Sequence, residues 1–319
     1  MSKIAVLNDT HSVAYRVMAF MLKTIGFTVY SAGHSFREVT EVYKGPRNDL
    51  ATYAGVMEFK DLPKDALFVD HYPGCAPRLR AAGWTGPVLL YWGLPVGPKW
   101  IWRHFHPPPR VGVYTQCPRI ARCLREINRC HAKFFWPPYV DPIQRTPRTT
   151  FEPFVMTVIQ GVCKWLKEDL LIKLRDDPTV KLEVYGGAPP AWAKRLPHDD
   201  LTARLRRAKC LFHPKSFDTP GRALMEAVLQ GVPVVLPEVF LRKTEMTDIF
   251  TDGVTCVVAK DTALPTVLEA ICSLDDDDRN LRIGNEGQRR LSKASDWNVN
   301  KVSFKLLLQR LFDNVPIPS

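Results

Sequence analysis

Short apolar runs alternate with segments of helical periodicity along this chain of 319 residues, and this alternation constrains the fold more than any other feature. In the first half, the predicted strands are KIAVLND, FTVYSAG, ALFVDHYPG, GPVLLYWG and RVGVYTQ, and the predicted helices are SVAYRVMAFMLKTIG and PRIARCLREINRC. Strands that alternate with helices form parallel sheets with helices on both faces. The first half is therefore predicted to be a doubly wound α/β domain.

The same pattern restarts after residues 137–153, a segment with five prolines that we predict to connect two domains. The later strands are predicted to be FVMTVIQG, VKLEVYGGAPP, CLFHP, VPVVLPE and TCVVAK, and WNVNKVSFKLLLQRLFD is predicted to be a terminal helix. The predicted domains are 1–150 and 151–300, followed by the helix in 301–319. Since ligands bind beyond the carboxyl ends of parallel strands, we expect the active site in a cleft between the two units.

Charge is distributed unevenly between the two halves. Residues 1–150 hold 20 Lys and Arg against 10 Asp and Glu, whereas residues 151–319 hold 24 against 23. Residues 78–148 alone hold 12 basic and 2 acidic side chains. This asymmetry predicts an anionic partner for the first domain, and the alternative is a basic surface without a specific partner.

Composition favours a globular cytoplasmic protein. Hydrophobic residues make up 45% and charged residues 24%, and no apolar stretch approaches the roughly 18 residues of a membrane span. The N-terminus does not resemble a signal peptide. The spacing of Cys117, Cys123 and Cys130 differs from that of zinc ligands, so we expect reduced thiols and no bound metal.

The segment HPKSFDTPGRALMEAVLQGVPVVLPE carries the strongest functional pattern. A loop containing Pro220 and Gly221 precedes a helix that opens at Arg222, and the amides at a helix N-terminus attract phosphate. Gly221 would let the backbone approach a diphosphate closely. Glu226 is expected to accept hydrogen bonds from ribose hydroxyls, and Asp218 from sugar hydroxyls. The alternative interpretation is a capping or buried acid on an ordinary α/β helix.

This segment resembles the donor-site signature of retaining GT-B glycosyltransferases. In that signature an acidic residue and seven intervening residues precede a glutamate; here they are Asp218, seven residues, and Glu226 within EAVLQGVPV. The first acid is Asp218, where the family usually has glutamate. The resemblance implies two Rossmann-like domains facing a central cleft and a C-terminal helix that crosses back to the first domain. It also implies transfer with retention from a nucleotide-diphosphate sugar, UDP-glucose being the expected co-substrate, and no bound metal.

The resemblance extends to other residues of the second domain. FVMTVIQGVCKWLKEDLLIKL is similar to the family's phosphate-binding segment, although Val162 stands where the family commonly has arginine, and Lys164 is the candidate replacement. LEVYGGAPP is similar to the family's next glycine turn. The donor contacts implied are Gly161, Lys164, Lys167, Gly186, Gly187, Pro220, Gly221, Arg222 and Glu226.

In the first domain, DALFVDHYPG resembles the family's strand ending in a histidine that faces the donor sugar. His71 is therefore the candidate hydrogen-bond donor to the sugar or leaving group, with Asp70 as the second candidate and Asp218 as the third catalytic residue. A purely structural histidine is the alternative. Thr10 and His11 follow the first strand, where the family has a loop that meets the acceptor.

A loop of interleaved aromatic and basic residues, YWGLPVGPKWIWRHFHPPPR, suits stacked bases and phosphates. The predicted acceptor contacts there are Trp92, Lys99, Trp100, Trp102, Arg103 and Arg110. A base in a duplex must be flipped out before a sugar can reach it. The leading hypothesis is a phage-type DNA glycosyltransferase that modifies a hydroxymethylated pyrimidine in the host cytoplasm. The alternatives are a lipid-linked or cell-surface glycan acceptor at a membrane surface, a non-catalytic sugar-nucleotide-binding module, and ordinary packing around tryptophan.

Overall fold

The protein is described by a computed structural model over residues 3–8, 12–32, 55–57, 59–70, 75–92, 109–140, 143–159, 168–186, 192–217 and 221–314. Contacts divide the chain into two units: unit 1 comprises Met1–Val140 with Ser295–Ser319, and unit 2 comprises Asp141–Ala294. The boundaries between the two units therefore lie at residues 140/141 and 294/295. The domain limits predicted from the sequence were residues 150 and 300.

Unit 1 is a parallel sheet with helices between its strands. Its strands are β1 (Ile4–Leu7), β2 (Thr28–Ser31), β3 (Gly55–Val56), β4 (Leu67–Asp70), β5 (Val88–Trp92), β6 (Val111–Thr115) and β7 (His131–Phe134). Its helices are α1 (Ser12–Thr24), α2 (Cys75–Ala81), α3 (Pro118–Glu126) and α10 (Trp297–Phe312), with a 3-10 turn at Phe59–Asp61. The strand order is β3-β2-β1-β4-β5-β6-β7, so the order reverses at β1 and β4, as in a dinucleotide-binding sheet.

The terminal helix α10 completes the core of unit 1. Phe304, Leu307 and Leu311 are buried with Tyr114 and Phe135 in one apolar cluster. The methyl groups of Leu311 approach so closely to Gly112 that a Cβ there would lie 2.8 Å from them. Burial of this apolar face, at about 25 cal/mol per Å², explains why the chain returns to the first unit at its end.

Unit 2 repeats the same plan. Its strands are β8 (Glu152–Ile159), β9 (Leu182–Gly186), β10 (Ala208–Phe212), β11 (Val234–Pro237) and β12 (Val257–Ala259). Its helices are α4 (Glu168–Asp176), α5 (His198–Arg207), α6 (Arg222–Leu229), α7 (Glu238–Thr244), α8 (Leu264–Cys272) and α9 (Asp277–Ala294). All pairs are parallel, and the order is β12-β11-β10-β8-β9, with the reversal between β8 and β10.

The proline-containing segment predicted as a connection is partly fixed onto unit 2. The backbone of Arg148 exchanges hydrogen bonds with the Asn285 side chain, at 2.8 and 3.0 Å. Gln288 donates to the carbonyl of Arg145 at 2.9 Å. Both amide side chains belong to α9, so residues 145–148 are held by unit 2. For this reason the boundary between the units lies before them, at residues 140/141.

The two-unit α/β architecture predicted from the sequence is confirmed, whereas five elements of the described chain were not predicted. These are β3, β7, α2, α7 and the 18-residue α9. Helices α2 and α7 have seven residues each, too short for a clear period of 3.6 residues. In the described part of the chain, no helix has the length and apolar character that a membrane crossing requires. Cys117, Cys123 and Cys130 are all buried.

Candidate functional site

The reversal of strand order in unit 2 defines where a ligand would bind. β8 pairs with β9 on one side and with β10 on the other, so the strand order reverses at this point. The carboxyl ends of strands at such a reversal are the usual ligand sites of open α/β sheets. In the described part of the chain, β10 leads into residues 213–217, and α6 begins at Arg222 shortly afterwards.

The start of α6 has the geometry of an anion site. Gly221 is its N-cap residue, with φ −59° and ψ 157°, and no side chain caps the helix. The carbonyl of Gly221 accepts the amides of Leu224 and Met225. The earlier amides of any helix have no acceptor within the helix, and the helix dipole adds positive potential at this end. A phosphate group is the natural ligand for such an end.

One turn inside α6, Glu226 lies in a buried side-chain cluster, which we call the 198–222–226 cluster. Glu226 is 2% exposed, and its Oε1 lies 2.6 Å from Nε of Arg222 and 2.7 Å from Nε2 of His198. Nη2 of Arg222 lies 2.5 Å from the same imidazole nitrogen. A buried carboxylate is costly unless it is paired, so Arg222 and His198 together stabilise Glu226 in the folded chain.

The imidazole nitrogen Nε2 of His198 faces a hydrogen-bond acceptor, Glu226, and a hydrogen-bond donor, Arg222. Nε2 of His198 can donate to Glu226 when it carries a proton, or accept from Arg222 when it does not. The nitrogen cannot form both hydrogen bonds at once, so one of its two neighbours lacks a hydrogen bond to it. A ligand hydroxyl, which both donates and accepts, is suited to bind the neighbour that is left.

His198 was not among the residues predicted from the sequence. It is the first residue of α5 and follows Pro197. In the sequence it is a single histidine, 28 residues before Glu226, and no motif links the two positions. Only the folding of α5 beside α6 brings them together, so sequence reasoning had no signal with which to find it.

His213, at the carboxyl end of β10, is a second residue that the sequence did not single out. It is 7% exposed, and its Nε2 has no hydrogen-bond partner among the described residues. Its ring packs edge-on against Phe240, with centroids 4.9 Å apart. Burial, and then the charge of Lys215, lower the pKa of His213 to about 3. The ring is therefore neutral at physiological pH.

Gly186 ends β9 beside the switch point, and the structure gives a steric reason for glycine there. A Cβ at this position would lie 1.9 Å from the carbonyl oxygen of Ile159 on β8. No heavy atom of the described residues comes within 4 Å of a Cβ at Gly221. Gly186 is thus required by close packing of the strand ends, whereas none of the described residues crowds Gly221. Donor binding by either residue stays a prediction.

These two glycines predict opposite outcomes for the same substitution. Gly186→Ala should destabilise unit 2 strongly, by about 3 kcal/mol or more, because backbone atoms rather than a mobile side chain oppose the added methyl group. Gly221→Ala should fold with a change below about 1 kcal/mol, since its φ suits any residue. Urea unfolding monitored by circular dichroism would measure both.

If the space beside Gly221 receives a diphosphate, Gly221→Ala should weaken UDP binding while its unfolding curve stays near that of the wild type. Calorimetric titration with UDP gives this second readout. Equal UDP affinity in Gly221→Ala and wild type would show that no ligand approaches this backbone closely.

In unit 1, Asp70 lies at the corresponding switch point between β1 and β4. It is 1% exposed, and its Oδ2 accepts a hydrogen bond of 2.8 Å from Nδ2 of Asn8, which follows β1. Burial, and then the adjacent Asp70 carboxylate, hold the pKa of the Cys75 thiol well above its usual range. Asp70 thus links the ends of two strands to the start of α2. Its predicted catalytic role stays a prediction.

The side chain of Arg110 has contacts within unit 1 that give it a structural role. Its backbone has φ 61°, and its guanidinium donates to the carbonyls of Thr85 at 2.8 Å and of Leu311 and Phe312 at 3.4 Å. The last two carbonyls lie at the C-terminal end of α10, where a cation is favourable. Arg110 therefore anchors the terminal helix within unit 1, and the predicted acceptor contact by this residue stays a prediction.

Many of the predicted site residues lie outside the described residues. These are Thr10, His11, His71, Lys99, Trp100, Trp102, Arg103, Gly161, Lys164, Lys167, Gly187, Asp218 and Pro220. The backbone of Trp92 is described as the last residue of β5. Of the predicted donor residues, the structure brings Arg222 and Glu226 together, one turn from Gly221. Within the described residues, no three His, Cys, Asp or Glu side chains group as metal ligands.

Comparison with solved structures agrees with this architecture. HepE from Anabaena, in complex with UDP and glucose, matches with a TM-score of 0.66 and 12% identity, over 96% of this chain and 99% of HepE. Sucrose-phosphate synthase from Thermosynechococcus elongatus matches with a TM-score of 0.64 and 13% identity, over 97% and 99% of the two chains. A glycosyltransferase from Rickettsia africae matches with a TM-score of 0.63 and 10% identity, over 98% and 100%.

The fold is that of the GT-B glycosyltransferases, two Rossmann-like domains with parallel sheets. A family model described as glycosyl transferase-like matches residues 164–300, which span most of unit 2 and include α6. No curated protein sequence matches the chain. The comparisons therefore show that the chain has the GT-B fold and that residues 164–300 are similar to a glycosyltransferase family.

Proposed function

We propose that the protein transfers a hexose from a nucleoside diphosphate sugar, with UDP-glucose as the donor, to an acceptor hydroxyl. The observation that carries this proposal is the buried Glu226 one turn inside a helix that starts at the switch point of unit 2. The similar structure of HepE holds UDP and glucose, and another structure of HepE holds UDP-glucose. These ligands support the choice of donor.

The chemistry of the site fits the parts of such a donor. The amides at the start of α6 would face the diphosphate, whose negative charge grows as the sugar leaves. Glu226 would accept hydrogen bonds from the ribose hydroxyls. A ribose hydroxyl would also replace one of the two contacts at His198 Nε2, and Arg222 would remain paired with Glu226. Following the family resemblance, the acceptor hydroxyl enters from the face that the diphosphate leaves, which retains the anomeric configuration.

We further propose hydroxymethylated pyrimidine in DNA as the acceptor. The basic excess of residues 78–148 supports this choice. In the described part of that stretch, Arg122, Arg125 and Arg129 are exposed on α3 and the turn after it. The buried free thiols of Cys123 and Cys130 suit a reducing compartment, so we place the protein in the cytoplasm, or in the host cytoplasm if a phage encodes it.

The test is a transfer assay with UDP-[¹⁴C]glucose and three acceptors: hydroxymethylated DNA, unmodified DNA of the same sequence, and lipid-linked glycan in vesicles. We expect label on the hydroxymethylated DNA alone. Label on the lipid-linked glycan alone would replace the DNA proposal with a membrane acceptor. UDP binding without transfer or hydrolysis of UDP-glucose would instead indicate a non-catalytic module.

Retention is tested separately by the product. ¹H NMR of a glucosylated hydroxymethylcytidine product should show the small anomeric coupling of an α-linkage, because UDP-glucose is itself an α-glycoside. A large coupling would show inversion and would contradict the stereochemical part of the proposal while leaving the donor assignment intact.

A further inference from the structure

A cavity of about 770 Å³ in unit 2 lies between α5 and the segment 143–150. Gln230, which follows α6 at the end opposite Gly221, forms part of its wall. The volume is within the range of small-molecule sites. Its wall carries three arginines, Arg148, Arg206 and Arg207, and the hydroxyls of Thr149, Thr150 and Thr202.

Two of these arginines, the buried Arg148 and the half-buried Arg206, are near enough to repel each other. Arg148 is 2% exposed and donates to the carbonyl of Ala208 and to Asn280. Arg206 donates to the carbonyls of Thr146 and Gln230, at 3.1 and 2.9 Å. Neutral oxygens satisfy hydrogen bonds but do not cancel charge. Burial lowers the pKa of Arg148 to about 10, and the charge of Arg206 contributes to that decrease.

In the described part of the chain, no carboxylate neutralises the positive charges of Arg148 and Arg206. Neither Arg148 nor Arg206 forms an ion pair there, while Arg207 pairs with Glu152. Asp199 is the only carboxylate on the wall of the cavity, and its side chain is 94% exposed. A buried charge without a counter-ion is costly, so an anion in the cavity would be stabilised.

The same wall holds donors that the described protein leaves without acceptors. Nε of Arg148 and Nε2 of Gln230 are buried and have no hydrogen-bond partner there. Gln230 is 2% exposed. Unsatisfied buried donors are rare in folded proteins and call for an explanation such as a ligand or ion. The uncompensated charge of Arg148 and the unsatisfied amide of Gln230 are separate observations at one place.

We propose that this cavity binds a phosphorylated sugar or polyol. The arginines would receive the phosphate group, and the threonine hydroxyls and Gln144 suit the hydroxyls of a sugar better than a nucleobase, since the wall has no aromatic side chain. A concave site of this volume fits a soluble molecule rather than a flat membrane surface. The site is separate from the 198–222–226 cluster and does not depend on the identity of the donor.

The test is calorimetric titration of the full chain with glucose 6-phosphate and, separately, with inorganic phosphate, in the presence of saturating UDP. Arg206→Gln removes charge but keeps donors for the carbonyls of the 143–150 segment, and it should weaken binding of glucose 6-phosphate by about tenfold or more. Arg207→Gln should weaken it in the same direction. Arg289→Gln is the matched control, because Arg289 is exposed to a similar extent, 66% against 63%, and also pairs with a glutamate.

A second variant, Gln230→Leu, should raise the stability of the protein while it weakens ligand binding. Gln230→Leu removes an unsatisfied donor, so the unliganded protein should melt about 2–4 °C higher while binding of glucose 6-phosphate weakens.

Three results would overturn the proposal. The first is failure of glucose 6-phosphate to bind to the wild type, and the second is that Arg206→Gln and Arg207→Gln bind it as tightly as Arg289→Gln does. The third is binding to phosphatidylglycerol vesicles, titrated in the same way, without binding to glucose 6-phosphate. Failure of UDP to bind in a separate titration would count against the donor proposal alone.

Discussion

Glu226→Gln should weaken UDP binding by about 10- to 100-fold and lower transfer from UDP-glucose at least as much, because a hydrogen bond to a charged group is worth about 1.5–3 kcal/mol. The substitution keeps the size of the side chain but removes the carboxylate that faces Arg222 and His198. Arg222, whose side chain is 19% exposed, would then lack its counter-ion. We therefore also expect the free energy of unfolding to fall by about 1–3 kcal/mol.

The matched control is Glu286→Gln on α9. Glu286 also pairs with two arginines, Arg289 and Arg290, but lies outside the 198–222–226 cluster. This control should lose less than about 1 kcal/mol of stability and keep the UDP affinity of the wild type. UDP titration and donor hydrolysis for both variants separate a ligand role from a stability role. Wild-type UDP affinity in Glu226→Gln would exclude Glu226 as a nucleotide contact.

His213 should make unit 2 progressively less stable as the pH falls below about 6.5. An unfolded imidazole binds a proton near that pH, whereas burial lowers the pKa of the folded ring to about 3. Between these values the unfolded chain takes up a proton that the folded chain does not, so acid favours unfolding. The contribution is about 2 kcal/mol between pH 6.5 and 5. Above pH 7.5 both states are neutral and the contribution disappears.

His213→Leu tests this expectation, since leucine fills a comparable volume and cannot titrate. Urea unfolding at pH 7.5, 6.0 and 5.0 should show that the variant lacks about 2 kcal/mol of the acid-induced loss seen in the wild type. The variant also removes the Nε2 atom that has no partner in the described part of the chain, so its stability at pH 7.5 should not fall by more than about 1 kcal/mol. Identical pH slopes for the two proteins would contradict a depressed histidine pKa.

The sequence predicted the elements with strong periodicity well. The predicted helix GRALMEAVLQG corresponds to α6, and its expected end at Gly231 coincides with a positive φ of 75°. The run VPVVLPE contains β11, all four residues of which are buried. These predictions succeeded because local propensity, periodicity and a glycine stop signal agreed.

Other features required the folded chain. His198 contacts Glu226 only because α5 and α6 pack side by side, which no spacing in the sequence reveals. Gly186 looked like a ligand turn, but the carbonyl of Ile159 explains why a side chain is excluded there. Arg110 belonged to a basic stretch, yet its guanidinium binds carbonyls of a helix 200 residues later. Each of these contacts joins residues whose proximity depends on tertiary packing.

The amino-acid sequence by itself determined the two α/β units, the helix that opens near Gly221, and the position of Glu226 within it, because period and turn chemistry are local properties. The tertiary structure decided which groups surround Glu226 and where unit 1 ends. It also decided that the buried Arg148 lies near the half-buried Arg206 without a carboxylate partner in the described chain. Burial and the pairing of charges depend on all neighbours in space. A linear pattern records only the neighbours along the chain.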